Sequence, residues 1–197
     1  MSPERSVMWA PWTGVGLEHL TLKWDEEGVR ADGVVIGGEG GVQFRVRYEV
    51  RCDTGWRVRK VKVDSLASDD VSVRLLADAE GGWITPDREP VPVLDGCSDV
   101  DISVTPFTNT LPIRRLRLGP GEAADLEVAY VDVPGMRVEP TRQRYTCLER
   151  GEYGGLYRYE DEGLFNGFTA DLPVDADGLV LDYPGLFKRI HPSRALA

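Results

Sequence analysis

The sequence predicts an all-β protein, and two observations carry that prediction. Apolar residues recur with period two along most of the chain. Clusters of Gly, Pro, Asp and Asn interrupt the pattern at short intervals. Many short strands joined by such turns build a sandwich, a barrel or a roll. Helical periodicity is nearly absent.

The first strand candidates are "LEHLTLKW" and "GVVIG". Gly37, Gly38, Gly40 and Gly41 follow as a tight connection. A phosphate loop would need a helix after those glycines, and a strand pattern comes instead. "VQFRVRYEVRC" places Phe44, Val46, Tyr48, Val50 and Cys52 on one face and Gln43, Arg45, Arg47, Glu49 and Arg51 on the other. After Asp53-Thr54-Gly55, "WRVRKVKV" resumes with Trp56 and Val58, then its apolar parity flips to Val61 and Val63. Such a flip predicts a bulge or a change of buried face. Further strands are read in "VSVRLLAD", "DVDISV", "DLEVAYVDV", "RQRYTCLE", "GLYRYE", "FTADLPV" and "GLVLDY". The best helix starts near Thr108 or Asn109 and ends before Gly119, with Thr108 as its cap and Pro112 in its first turn. Trp9 and Trp12, in the Pro/Gly-rich "WAPWTG", read as a lid, a rim or the cover of a sheet edge.

The 197 residues suit a single domain over 1–197, with no linker, repeat or low-complexity tract. A net charge of −10 repels nucleic acid and anionic bilayers. No nucleic-acid partner is expected. No apolar run approaches the ~18 residues that cross a bilayer, so no stable membrane insertion is expected. No signal peptide is visible, which predicts a cytoplasmic protein. Three cysteines without a CxxC, and two histidines, predict reduced buried thiols and no metal site or other cofactor.

Arginine dominates the cations, with four lysines in a total of 23. Between Phe44 and Lys62 seven cations face two carboxylates. Arg45 and Arg47 either lace a solvated face with ion pairs or line a concavity, where forked hydrogen bonds would hold a polar ligand. "DVDISVTPFTNTLPIRRL", from Asp99 to Leu116, begins as a strand and then breaks into hydroxyls, an amide and guanidiniums. That change reads as a structural corner, with Thr and Asn bonding local backbone, or as a ligand site. Asp99 and Asp101 share one strand face and could form an acid/base pair, or could cap a turn or pair with Arg114 and Arg115. No G-x-S-x-G or HExxH is present.

Taken in order, "EHLTL", "ADGVVIG", "FRVRYEVRCD", "WRVR", "LDGCSDVDISVTPFTNTLPIRRL", "RQRYTCLE", "GGLYRYE" and "GFTADLPVDADGLVLDYPGLFKR" resemble the bacterial glycolipid-binding family, from about Leu17 to Arg189. The resemblance implies a single antiparallel curved sheet, a spiral β-roll or half-barrel with at most one or two short helices. That shape is similar to the LolA/LolB lipoprotein carriers. It implies non-catalytic binding of a glycolipid or similar amphiphile in a concave, partly apolar cavity. The ligand-binding residues expected on this reading are Arg45, Arg47, Asp101, Thr105, Thr108, Asn109, Arg114, Gln143, Arg144 and Tyr145. Two alternatives stand beside it: an enzyme acting on a sugar or phosphate ester through Asp99 and Asp101, and an interaction protein with a filled interior. The oligomeric state is left open. A hollow enclosed by the sheet separates the first reading from the last.

Overall fold

A computed structural model of the chain describes residues 4–68, 71–78 and 80–190. His191 lies outside them. The strands are β1 (Glu4–Pro11), β2 (Gly16–Asp25), β3 (Gly28–Glu39), β4 (Val42–Cys52), β5 (Val58–Ser65), β6 (Ser72–Ala77), β7 (Trp83–Ile84), β8 (Asp99–Ile102), β9 (Ala123–Asp132), β10 (Arg137–Gly151), β11 (Gly154–Asp161), β12 (Thr169–Asp175), β13 (Asp182–Tyr183) and β14 (Phe187–Ile190). One short α-helix, α1 (Thr110–Leu116), lies between β8 and β9.

The class is all-β, as the period-two pattern predicts. Where the family resemblance implies one curved sheet, hydrogen bonding resolves two. Nine strands run in the order β13-β14-β1-β2-β3-β4-β5-β6-β7, and five in the order β12-β11-β10-β9-β8. The sheets meet at a corner, where Val174 bridges Val180 and the Leu181 N–H donates to the Pro173 carbonyl at 2.8 Å. No barrel closes. Every strand pair is antiparallel except β8–β9. A parallel pair needs a crossover, which explains why the chain leaves the sheet after Ile102 and returns at Ala123.

The parity flip in "WRVRKVKV" is a bulge. Arg51 pairs with Lys60 and Cys52 with Val58, so Arg59 has no opposite residue. Trp56 precedes the strand and sits in a turn with φ of 66°. Strand β1 carries no clear period-two signal in the sequence. Trp9 belongs to it and is 1% exposed, with its indole N–H donating to the Val180 carbonyl at 2.8 Å. It is a core residue and not a lid. Trp12 is exposed and donates to Asp182 at 2.9 Å, clipping the end of β1 to β13.

The inner face of the large sheet is filled. Trp9, Leu20, Leu22 and Tyr48 pack there with Phe107 and Leu111 of the crossover and with Val100 and Ile102 of β8. Phe107 stacks on Tyr48 with ring centres 6.3 Å apart. The crossover drops its apolar side into the middle of this face and fills it, so open space on this side is confined to its end near Gly16 and Phe44. The opposite side of α1 seats Ile113 against Tyr145, Leu172 and Val180 of a second core. One seven-residue helix thus wedges between two cores.

All three cysteines are free and buried. Burial pushes the Cys52 thiol far up and the Cys97 thiol up to about 11. Thiolate is the reactive form. The native protein should therefore resist a disulfide-exchange reagent at pH 8 and release three equivalents after unfolding. Rapid release before unfolding would contradict this packing.

Candidate functional site

The segment after β8 begins with a cap. Thr105 is extended, and its Oγ1 accepts the Phe107 N–H at 3.0 Å, with Pro106 in the first position of a 3₁₀ turn over Pro106–Asn109. The turn runs into α1, which ends at left-handed Arg117. The predicted cap, Thr108, is not the cap. Its hydroxyl donates instead to Asp101 Oδ1 at 2.9 Å.

Side chains from this turn reach the neighbouring strands. Gln143 donates its amide to Asp101 Oδ2 at 2.6 Å. The Tyr145 hydroxyl donates to Asn109 Oδ1 at 2.8 Å. Thr105 donates to Glu18 Oε1 at 2.7 Å, and Tyr48 donates to the same oxygen at 2.5 Å. Six of the ten expected residues therefore meet around this turn: Asp101, Thr105, Thr108 and Gln143 join Glu18 and Tyr48 in one network, and Tyr145 with Asn109 forms a separate pair. Asp101, Thr105 and Asn109 line an open space. Thr108, Gln143 and Tyr145 stand behind them, each about 2% exposed, and hold them in place.

The four arginines lie elsewhere. Arg47 forks onto Asp32 at 3.0 and 2.6 Å on the solvent face. Arg144 pairs with Asp125. Arg114 donates to the Ala176 carbonyl at 3.3 Å and covers the Trp56 ring. Arg45 donates to the Leu66 carbonyl at 2.8 Å and borders an outer groove. Pleating explains this placement: with the apolar face turned to the core, these side chains on β4 and β10 face water. There, Lys60 and Arg51 hold the Glu49 carboxyl down at about 2, against its partial burial.

The open space is a cleft of about 490 Å³ between the five-stranded sheet and the β13–β14 hairpin. Small-molecule sites span roughly 300–1,000 Å³. Six rings line the cleft: Tyr130, Tyr159, Phe165, Phe168, Tyr183 and Phe187. Tyr159, Phe168 and Tyr183 touch in a triangle with centres 6.1–6.2 Å apart. Asp161 folds the rim. Its Oδ1 accepts the N–H groups of Gly163 and Phe165 at 2.9 Å, and its Oδ2 accepts the Tyr159 hydroxyl at 3.2 Å. That loop sets Phe165 edge-on to Tyr130 at 5.8 Å.

A second hollow of about 280 Å³ shares Ser103, Leu186 and Phe187 with the cleft. Its walls are mostly apolar, with Trp9, Leu17, Val35 and Phe44, and they include Glu18. A shallower groove of about 900 Å³ continues from it over Val15, Ile36 and Phe44. Val15 and Ile36 are exposed there.

Two carboxyls of the network are perturbed. Burial raises Glu18 to about 7, against the lowering effect of its bonds from Thr105 and Tyr48. Burial also raises Asp101, partly offset by Thr108 and Gln143, and the Asp161 charge adds to the rise. Asp99 is separate. It is fully buried and held by the Arg115 guanidinium at 2.5 Å, outside the cleft lining. The Asp99/Asp101 pair is thus divided, because Arg115 on α1 draws one member away. Among the described residues no group of three or more His, Cys, Asp or Glu side chains is placed to hold a metal ion.

The sequence profile of the family described as "Putative glycolipid-binding" matches residues 6–189. The chain belongs to that family. It is also similar to a solved structure, a DUF1089-family protein from Pseudomonas aeruginosa. The two share 36% identity with a TM-score of 0.75, over 90% of this chain and 94% of that one. No functionally curated protein matches. No helix of the described residues is long and apolar enough to cross a membrane.

Proposed function

We propose that this family member binds an amphiphile without transforming it. The polar head group sits in the aromatic cleft, and the alkyl part lies in the adjoining hollow and groove. The observation that carries this reading is the shared wall. An aromatic pocket with a polar floor at Asp101, Thr105 and Asn109 abuts an apolar one through Ser103, Leu186 and Phe187. Aromatic rings suit the apolar face of a sugar, while carboxylates and amides accept its hydroxyls. The family description points to the same ligand class.

Leu186 is exposed on that shared wall, so its substitution should spare the fold. Leu186→Arg would place a charge where the alkyl chain enters. Its affinity for an alkyl glycoside, measured by isothermal titration calorimetry, should fall at least about tenfold. Undiminished binding by the variant, or native mass spectra of wild-type protein without any retained alkyl glycoside, would defeat the reading.

A further inference from the structure

The cleft is built from carboxylates and rings, with no cation among its lining residues. Asp132, at the rim, already has Arg137 at 3.1 Å. Asp101 and Asp161 have no ion-pair partner among the described residues; the Arg115 guanidinium pairs with Asp99. Asp161 is 3% exposed. The bonds to Asp101 come from one hydroxyl and one amide, and each carboxylate oxygen can take a further donor. Uncompensated carboxylates inside a fold cost stability unless a cation joins them. The rings add to the demand, because an aromatic face carries negative potential. Carboxylates and ring faces therefore favour the same sign of charge in a guest.

We propose that the head group this cleft selects carries an ammonium, as on an amino sugar with a free amine. The inference rests on the amphiphile reading above and narrows it. An ammonium offers N–H donors for the open positions on Asp101, while Asp161, whose oxygens already hold three donors, adds its charge. The Tyr159 and Tyr183 rings supply a surface for its charge. An anionic head group, such as a phosphate or a uronic acid, finds no guanidinium or ammonium there and meets like charge.

The test compares three ligands with one alkyl chain, octyl glucoside, octyl 2-amino-2-deoxyglucoside and its N-acetyl form, titrated calorimetrically into the full chain at pH 7. The free amine should bind at least about tenfold more tightly than either neutral ligand. Asp101→Asn keeps the shape and can still bond both neighbours, its carbonyl accepting from Gln143 and its amide donating to Thr108. In that variant the ratio between amine and hydroxyl ligands should fall toward one. Equal or tighter binding of the neutral ligands to wild-type protein would overturn the ammonium inference and leave the amphiphile reading standing. A preference that survives in Asp101→Asn would also overturn it. No binding of any of the three would overturn both.

Discussion

Gly33→Ala should destabilise the protein by on the order of 3 kcal/mol, read as a lower urea midpoint with an unchanged slope. Gly33 on β3 is paired directly with Tyr48 on β4. The Tyr48 ring lies flat across it to reach Glu18 on β2. A Cβ built on Gly33 falls 2.2 Å from the ring and 2.6 Å from its hydroxyl oxygen. The methyl and the ring cannot share that space. Moving Tyr48 breaks its bond to Glu18 and its stacking on Phe107 together. Gly37→Ala is the control. There the Cβ meets the far end of the Phe44 ring at 2.8 Å, and Phe44 is only half-buried and can swing outward. It should cost clearly less. Equal losses would show that the buried tyrosine is not the cause.

Tyr48 also shows what the sequence could convey. Its place on the inner face of β4 follows from alternation alone. The bulge at Arg59 was visible too, because one extra residue must reverse parity. Strand β1 was hidden because Met8 and Ala10 blur the contrast with Val7 and Trp9. Strand β14 is four residues long and pairs with the opposite end of the chain, so no local pattern marks it. The division into two sheets depends on strand order, which periodicity does not encode.

The site was legible in one part. "TPFTNT" could be singled out because its hydroxyls and amide are unusual after a clean strand, and those groups do converge. The rings were not legible as a set. Tyr130, Tyr159, Phe165, Tyr183 and Phe187 come from separate segments, and each alone reads as core. The arginines misled for a related reason. Charge alternation fixes which side of a strand they occupy but not whether that side is concave. Arg47 finds Asp32 one strand over, on the diagonal two residues from its paired neighbour Val34.

Glu18 should make stability depend on pH near neutrality. Its carboxyl is at about 7 when folded and starts from 4.5 as its ordinary value. Between those values the native state holds a proton that the unfolded chain has released. Stability therefore falls as pH rises through this window, by about 3 kcal/mol in all, and levels off above it. The physical source is the unpartnered Glu18 Oε2, which is buried and meets no donor. Tyr48 and Thr105 both serve the other oxygen. Glu18→Gln carries no titrating proton and can still accept those two bonds. Urea unfolding across pH 4.5 to 8 should give wild type a downward slope that the variant lacks. The variant should be the more stable of the two at pH 8. Glu49, held down at about 2 on the outer face, acts oppositely and in a lower window, so it leaves this difference untouched. Parallel curves for the two proteins would mean that Glu18 is ionised in the fold at neutral pH. The hollow beside Trp9 would then hold a full negative charge and would repel an alkyl chain rather than receive it.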